Sequence, residues 1–246
     1  MNTLNPLKLI FSTLTGLAIV AIFRPIIAEA SPNQNETNQS FNSPELKLKK
    51  IRKTINQNKI LLEAVRIGDF VAAKKALSCK ANPNAQEENG ETALMIASEN
   101  NHLEIVKLLL TYGANVNGGG WIVGYPLIEA SREGHLEIAK LLLDKGADVN
   151  IMSDEGFTAL DAAIVKNQVE VVQLLLNKGA NPNRYVAGAT PLYDAAGYGY
   201  AKIVGLLIEH GADINAKSFG RTTPLAIAIQ NNHLDVVNLL KKAGAK

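Results

Sequence analysis

The chain has 246 residues, 47% hydrophobic and 20% charged, which excludes a disordered polymer and leaves enough apolar material for a buried core. Its formal net charge of +2 provides no overall field that would direct it to nucleic acid. A single cysteine, Cys79, excludes a disulfide framework and a cysteine-rich metal site.

The first thirty residues carry Lys8, an uncharged and mostly apolar run over residues 9–23, then Arg24 and a further apolar patch that ends in "AEA". That order is the layout of a secretory signal peptide, with small residues at Ala28 and Ala30 placing a cut after Ala30 and a mature start at Ser31. An uncleaved anchor is the alternative, because apolar character continues past Arg24 through Ile26 and Ile27; residues 9–23 are nevertheless short for a spanning helix of about 20 residues. Both readings put the rest of the chain outside the cytoplasm, periplasmic or secreted, or anchored to the membrane if no cut occurs. Removing residues 1–30 takes away Lys8, Arg24 and Glu29 and leaves a charge of +1.

Residues 31–44, "SPNQNETNQSFNSP", hold one large apolar side chain, Phe41, and read as a flexible polar linker that cannot offset the entropy of ordering. Over residues 45–58 comes "KLKKIRK", five positive charges in the seven residues 47–53, interleaved with Leu46, Leu48, Ile51 and Ile55. This predicts a basic capping helix whose apolar side covers the first folded unit. A patch for anionic lipid is the other reading, and would be the one membrane contact outside the signal segment.

From residue 59 onward the chain repeats. Gly-Ala pairs begin at Gly113, Gly146, Gly179, Gly211 and Gly244, and "KANPN" at Lys80 matches "GANPN" at Gly179 apart from its first residue. A second series lies in phase with the first: Thr-Ala-Leu at Thr92 and Thr158, Thr-Pro-Leu at Thr190 and Thr223, and Tyr-Pro-Leu at Tyr125. Each of these opens a short, alanine-rich apolar run. Threonine there can accept a backbone N–H as an N-cap, and proline suits the first helical turn. Gly68, Asn101, Gly134, Asn167, Gly199 and Asn232 follow at one register, where a left-handed residue would end the helix. A second amphipathic helix comes next, as in "HLEIAKLLLDKG", and the Gly-Ala pair stops it. Two helices this short cannot each bury a face alone, so neighbouring units must stack.

The period, the Thr-Pro-Leu openings and "EGHLEIAKLLLDKGADVN" over residues 133–150 resemble ankyrin repeats. The resemblance covers five units and a degenerate first one, with approximate bounds 59–86, 87–119, 120–152, 153–184, 185–217 and 218–246. It departs from the pattern where the histidine usual after Thr-Pro-Leu is Met95, Ile128, Asp161, Tyr193 or Ala226. Tyr125 replaces a capping threonine, and one loop is a residue short. The resemblance implies an all-α ankyrin solenoid of about six helix-turn-helix units with projecting β-hairpin loops, whose concave face binds another protein.

In this register Trp121, the one tryptophan, falls in an inter-unit loop rich in glycine, "GGGWIVGYPL". Phe157, Tyr185 and Phe219 fall near comparable tips, and Tyr193 and Tyr198 on or just after a first helix. With Ile122, Tyr125, Arg132, Glu155 and Arg221 they make up the expected partner-binding set, an aromatic ladder of interface anchors.

His102, His135 and His233 each start a second helix, one unit apart. At about 10 Å between units they cannot converge on an ion, so packing and capping is their expected role. Asp161, Asp194, Glu129 and Glu133 lie on or near first helices without a nucleophile beside them, and a lone thiol at Cys79 adds none. The expectation is therefore a monomeric, non-enzymatic binding scaffold with no metal, cofactor or nucleic acid. A module that stacks its aromatics on an envelope carbohydrate, or takes up a peptide fragment, is the second reading.

Overall fold

A computed structural model describes residues 44–119 and 124–246. The signal-type segment, the polar run as far as residue 43, and the loop residues 120–123, including Trp121 and Ile122, lie outside the described residues. Residues 48–246 form one compact unit.

The described residues form helices α1 (Pro44–Ile67), α2 (Phe70–Ser78), α3 (Ala93–Glu99), α4 (Leu103–Thr111), α5 (Pro126–Arg132), α6 (Leu136–Asp144), α7 (Ala159–Val165), α8 (Val169–Asn177), α9 (Pro191–Tyr198), α10 (Ala201–Glu209), α11 (Pro224–Gln230) and α12 (Leu234–Lys242). Within a unit the two helices pack on each other. Between units α3, α5, α7, α9 and α11 stack in sequence, and α2, α4, α6, α8, α10 and α12 stack behind them. The hairpins expected between units are only one bridge deep: Gln86 with Thr92, Val186 with Ala189 and Ser218 with Thr222. No longer strand occurs among the described residues.

Local chemistry explains each boundary. Thr92, Thr158, Thr190 and Thr223 accept the N–H three residues ahead, while Tyr125 makes no side-chain cap. All six residues at the register that ends the first helix are left-handed, with φ between 56° and 78°. They let the next N–H reach back to a buried alanine carbonyl, as His135 does to Ala130 at 2.8 Å and His233 to Ala228 at 2.9 Å. The Gly-Ala pair works in the same way at the second helix. Gly146 takes φ +88°, and the Ala147 N–H donates to Leu142 at 2.9 Å. In the first unit Lys80 holds the glycine's place at φ +72°.

The first helices of the second to fourth units are almost wholly enclosed. In α3, α5 and α7 every residue except the last is buried, and the small side chains Ala97, Ala130, Ala163, Ala195 and Ala228 let neighbouring helices approach closely. The second helices bury one stripe, such as Ile138, Ala139 and Leu142 of α6.

Two expectations change. The basic segment 45–58 is not a separate cap: α1 runs unbroken from it into the first unit, which is covered by Leu61, Ala64 and Val65, while Leu48, Ile51 and Ile55 stay exposed. Nor do His102, His135 and His233 cap their own helices, since each occupies the N-cap position without a side-chain hydrogen bond to it. Instead the rings reach back one unit. Nε2 of His135 bonds the Glu99 carbonyl at 2.8 Å, and Nε2 of His233 bonds that of Gly197 at 3.0 Å. At the same register the Gln168 amide donates to the Arg132 carbonyl at 3.2 Å, so the contact needs a reach and a polar tip more than an imidazole.

Candidate interaction surface

The loops between units rest on a ladder of asparagine. The Asn84, Asn117, Asn150 and Asn183 side chains each accept an N–H from the next unit, at Asn115, Asp148, Asn181 and Asp213, over 2.7–2.9 Å. Their amide N–H groups donate to Gly113, Gly146, Gly179 and Gly211. Asn58 of α1 starts the ladder on the Asn82 N–H and Asn215 ends it on Lys246. One amide thus fixes both a donor and an acceptor of the following turn, and so sets where the next loop leaves the stack.

The tips stand on that ladder. In the fourth unit Gly156 closes a turn at φ +83°, with Glu155 beside it and Phe157, partly buried, on its returning side. Arg184 donates to the Gly156 carbonyl at 3.0 Å and pins this tip from the far end of the same unit. Arg132, Glu155 and Phe157 come together, lining a depression of about 190 Å³ with Ala162, Val165 and Lys166.

In the fifth unit Ala187 and Gly188 form a two-residue turn with φ +49° and +90°, and Tyr185 is exposed just ahead of it. In the sixth, Phe219 and Gly220 turn at φ +50° and +71° with Arg221 following. The Phe219 N–H donates to Gly188 at 2.7 Å, which ties the two tips together, and buried Ser218 accepts the Thr190 N–H at 3.1 Å. The Phe219 ring meets Tyr193 edge-on, centroids 5.6 Å apart. Phe219 nevertheless remains 62% exposed.

The other aromatics are placed differently. Tyr125 is half-buried against the core at the start of α5. Tyr198 lies at the end of α9 and stacks on Tyr200, centroids 5.4 Å apart, across the tight turn. The ring contacts among described residues are therefore two local pairs rather than one continuous column. Trp121 and Ile122 lie outside the described residues.

The carboxyl groups do not form an open acidic groove. Asp161 is buried and accepts from the Thr158 N–H at 2.8 Å and its hydroxyl at 2.6 Å, closing a capping box. Burial raises its pKa and those bonds oppose the rise. Glu129 is 5% exposed. Burial pushes its pKa up to about 7 against the pull of Arg132, with which it pairs. Asp194 is half-buried, and burial with Asp161 nearby raises it to about 6. Glu133 is exposed. Among the described residues no three His, Cys, Asp or Glu side chains converge to hold a metal ion, and Cys79 is exposed and unpaired.

Sequence reasoning missed the asparagine ladder, Arg184 and Ser218. The signal for the ladder was available: asparagine recurs at 84, 117, 150, 183 and 215 in phase with the threonines. The partners of Arg184 and Ser218 lie 28 residues away, at positions with no periodic mark.

Paired short helices stacked unit on unit, with loop turns fixed by a side-chain amide ladder, define a helical repeat solenoid. The model for ankyrin repeats (3 copies) matches residues 61–153, 123–186 and 183–246, and the chain belongs to the ankyrin repeat family. An ankyrin repeat domain from Acinetobacter baumannii AYE superposes with a TM-score of 0.71 at 35% identity, covering 76% of this chain and 98% of that one. The human ASB11 ankyrin repeat domain gives 0.69 at 26% identity over 76% of this chain and 83% of that one. Similarity to whole characterised proteins is partial. Alpha-latrocrustotoxin-Lt1a of Latrodectus tredecimguttatus is 43% identical over 65 residues, 26% of this chain. Human protein fem-1 homolog C is 42% identical over 53 residues, 22% of this chain. The matched stretch spans 5% and 9% of those proteins. Ankyrin repeats are in general protein–protein interaction modules, and the similarity lies in the repeats.

Proposed function

We propose that this protein is a non-enzymatic scaffold that binds another protein along the face formed by its first helices and loop tips, in the cell envelope or outside the cell. The observation that carries this reading is the pairing of fixed backbone with exposed aromatic side chains at the fifth and sixth tips. Phe219 is held through its N–H by Gly188, yet its ring faces solvent, as does that of Tyr185. An exposed aromatic on an already ordered turn loses little entropy when a partner covers it, and such anchors dominate interface energetics at about 2 kcal/mol each. The family's general role supports a protein as the partner. The placement outside the cytoplasm rests on the signal-type sequence of residues 1–30 alone.

By sequence register alone Trp121 falls between the second and third units, at the position the tips take in later units. Trp121→Ala should weaken binding of a partner recovered from an envelope extract by about tenfold or more, while the thermal midpoint stays where it is. Undiminished binding by that variant would remove Trp121 from the surface. A midpoint lowered in step with binding would make it a packing residue.

A further inference from the structure

The exposed half of α1 has no part in covering the stack, and its chemistry is of a particular kind. Leu48, Ile51 and Ile55, spaced three and four apart, fall within about 60° of one another around the helix. Each is about half exposed, at 51%, 54% and 52%. Lys47 and Arg52 flank this stripe, Lys59 extends the Arg52 flank one turn further, and Lys49, Lys50 and Lys53 occupy the opposite side. No acidic residue occurs between Leu46 and Leu62. The first unit is closed without this half, by Leu61, Ala64 and Val65 and by the Asn58 bond to the Asn82 N–H. Packing therefore does not explain why three branched apolar side chains and five positive charges share residues 47–55.

We infer that the exposed half of α1 is a docking element for an anionic phospholipid surface, lying in the plane of the interface with Leu48, Ile51 and Ile55 turned into it. Lysine and arginine on either side of a narrow apolar stripe can bury their methylene stems while their charged heads meet lipid phosphate. No described helix is long and apolar enough to cross a membrane, so α1 lies on the surface and does not span it. Nucleic acid would use the charges and leave the stripe in water. A second copy would set five positive charges against five. The apolar sequence of residues 9–23, about twenty residues upstream, agrees with a membrane nearby, but the inference stands on α1 itself and is independent of what the loop tips bind.

The test uses the full chain with Cys79→Ser and one new cysteine at a time, Ile51→Cys, Ile55→Cys, Lys49→Cys or Lys53→Cys, each carrying an environment-sensitive fluorophore. These local labels separate α1 from any insertion of residues 1–30. On phosphatidylglycerol-containing vesicles the emission at residues 51 and 55 should shift to the blue while that at 49 and 53 does not. Pure phosphatidylcholine and high salt should abolish the shift. Changing Lys47, Lys50, Arg52 and Lys53 together to glutamine, which preserves helix propensity, should raise the lipid concentration needed by at least about tenfold. Unchanged emission at residues 51 and 55 on anionic vesicles would overturn the inference. So would equal shifts on both faces, or a shift without lipid that grows with protein concentration, the mark of self-association. A response to RNA or an acidic protein at the lysine face alone would assign the helix to that partner instead.

Discussion

Asn150 shows how much one side chain can do in a repeat. Its Oδ1 accepts the Asn181 N–H at 2.9 Å and its Nδ2 donates to the Gly179 carbonyl at 3.2 Å, so the two turns are held in register by a single amide. Asn150→Ala should lower the free energy of urea unfolding by about 1–2 kcal/mol, because both groups of the next unit lose their partner at a site water can partly re-solvate. Asn150→Asp keeps the acceptor and loses the donor, so about half that cost is expected. Equal costs for the two variants would show that only the donor matters. Lys80 makes the opposite case. It carries a Cβ in the left-handed region at φ +72°, where every later unit has glycine. Lys80→Gly should stabilise the first unit by roughly 1 kcal/mol, measured by the same unfolding experiment. The repeat of asparagine is visible in the chain, but its role is not, because its bonding partner sits 31 residues on. The strain at Lys80 was legible, since "KANPN" differs from "GANPN" at that residue alone.

At the scale of the element, α5 carries a cost that its neighbours avoid. Ile96 and Ala162 are buried at the register where α5 places Glu129. Burial raises the carboxyl from 4.5 to about 7 and Arg132 only partly offsets it. Around neutral pH the folded chain thus retains a proton that the unfolded chain has released. The resulting stabilisation is fully present below about 4.5, the unfolded value, and is lost as pH rises through about 7. Asp194, raised to about 6, acts in the same direction over a lower range. Asp144, lowered by its bond to Lys178, acts in the opposite direction only in strong acid. The thermal midpoint should therefore rise by a few degrees between pH 8 and pH 6, at roughly 2–4 °C per kcal/mol. Glu129→Gln should raise the midpoint at pH 8 and flatten most of that dependence. A midpoint that falls over this range in the native chain, or the same slope in the variant, would contradict the assignment to Glu129.

Element boundaries were the most legible feature, because capping threonine, proline at the first turn and left-handed glycine or asparagine act within four residues of themselves. Two features beyond these boundaries differ from what the sequence predicts. For the histidines the register predicts packing and capping, but the carbonyls that His135 and His233 bond lie 36 residues earlier. The basic segment 45–58 continues into the first unit as one helix, because residues 45–67 contain neither glycine nor proline to end it.

Across the whole described unit, the residues that hold the stack and those that stay exposed at the tips are different. The principal helix contacts among the described residues run within a unit and between adjacent units, and the asparagine bonds join each unit to the next, with His135 and His233 adding a bond at their own boundaries. A stack built in this way is ordered by nearest neighbours before any partner arrives. The Tyr185, Phe219 and Arg221 side chains remain exposed on these fixed turns, which leaves them available for contact. What the tips would hold was less legible than the stack, since no period fixes a surface side chain and an exposed ring leaves no mark in the core pattern.

Site-specific photo-crosslinking in native cells separates the two groups most directly. A photoreactive residue at Tyr185 or Phe219 should give one discrete protein adduct, and the same residue at Lys140, on the exposed side of α6, should give none. Adducts at Lys140 with none at the tips would contradict the assignment of this face to a partner.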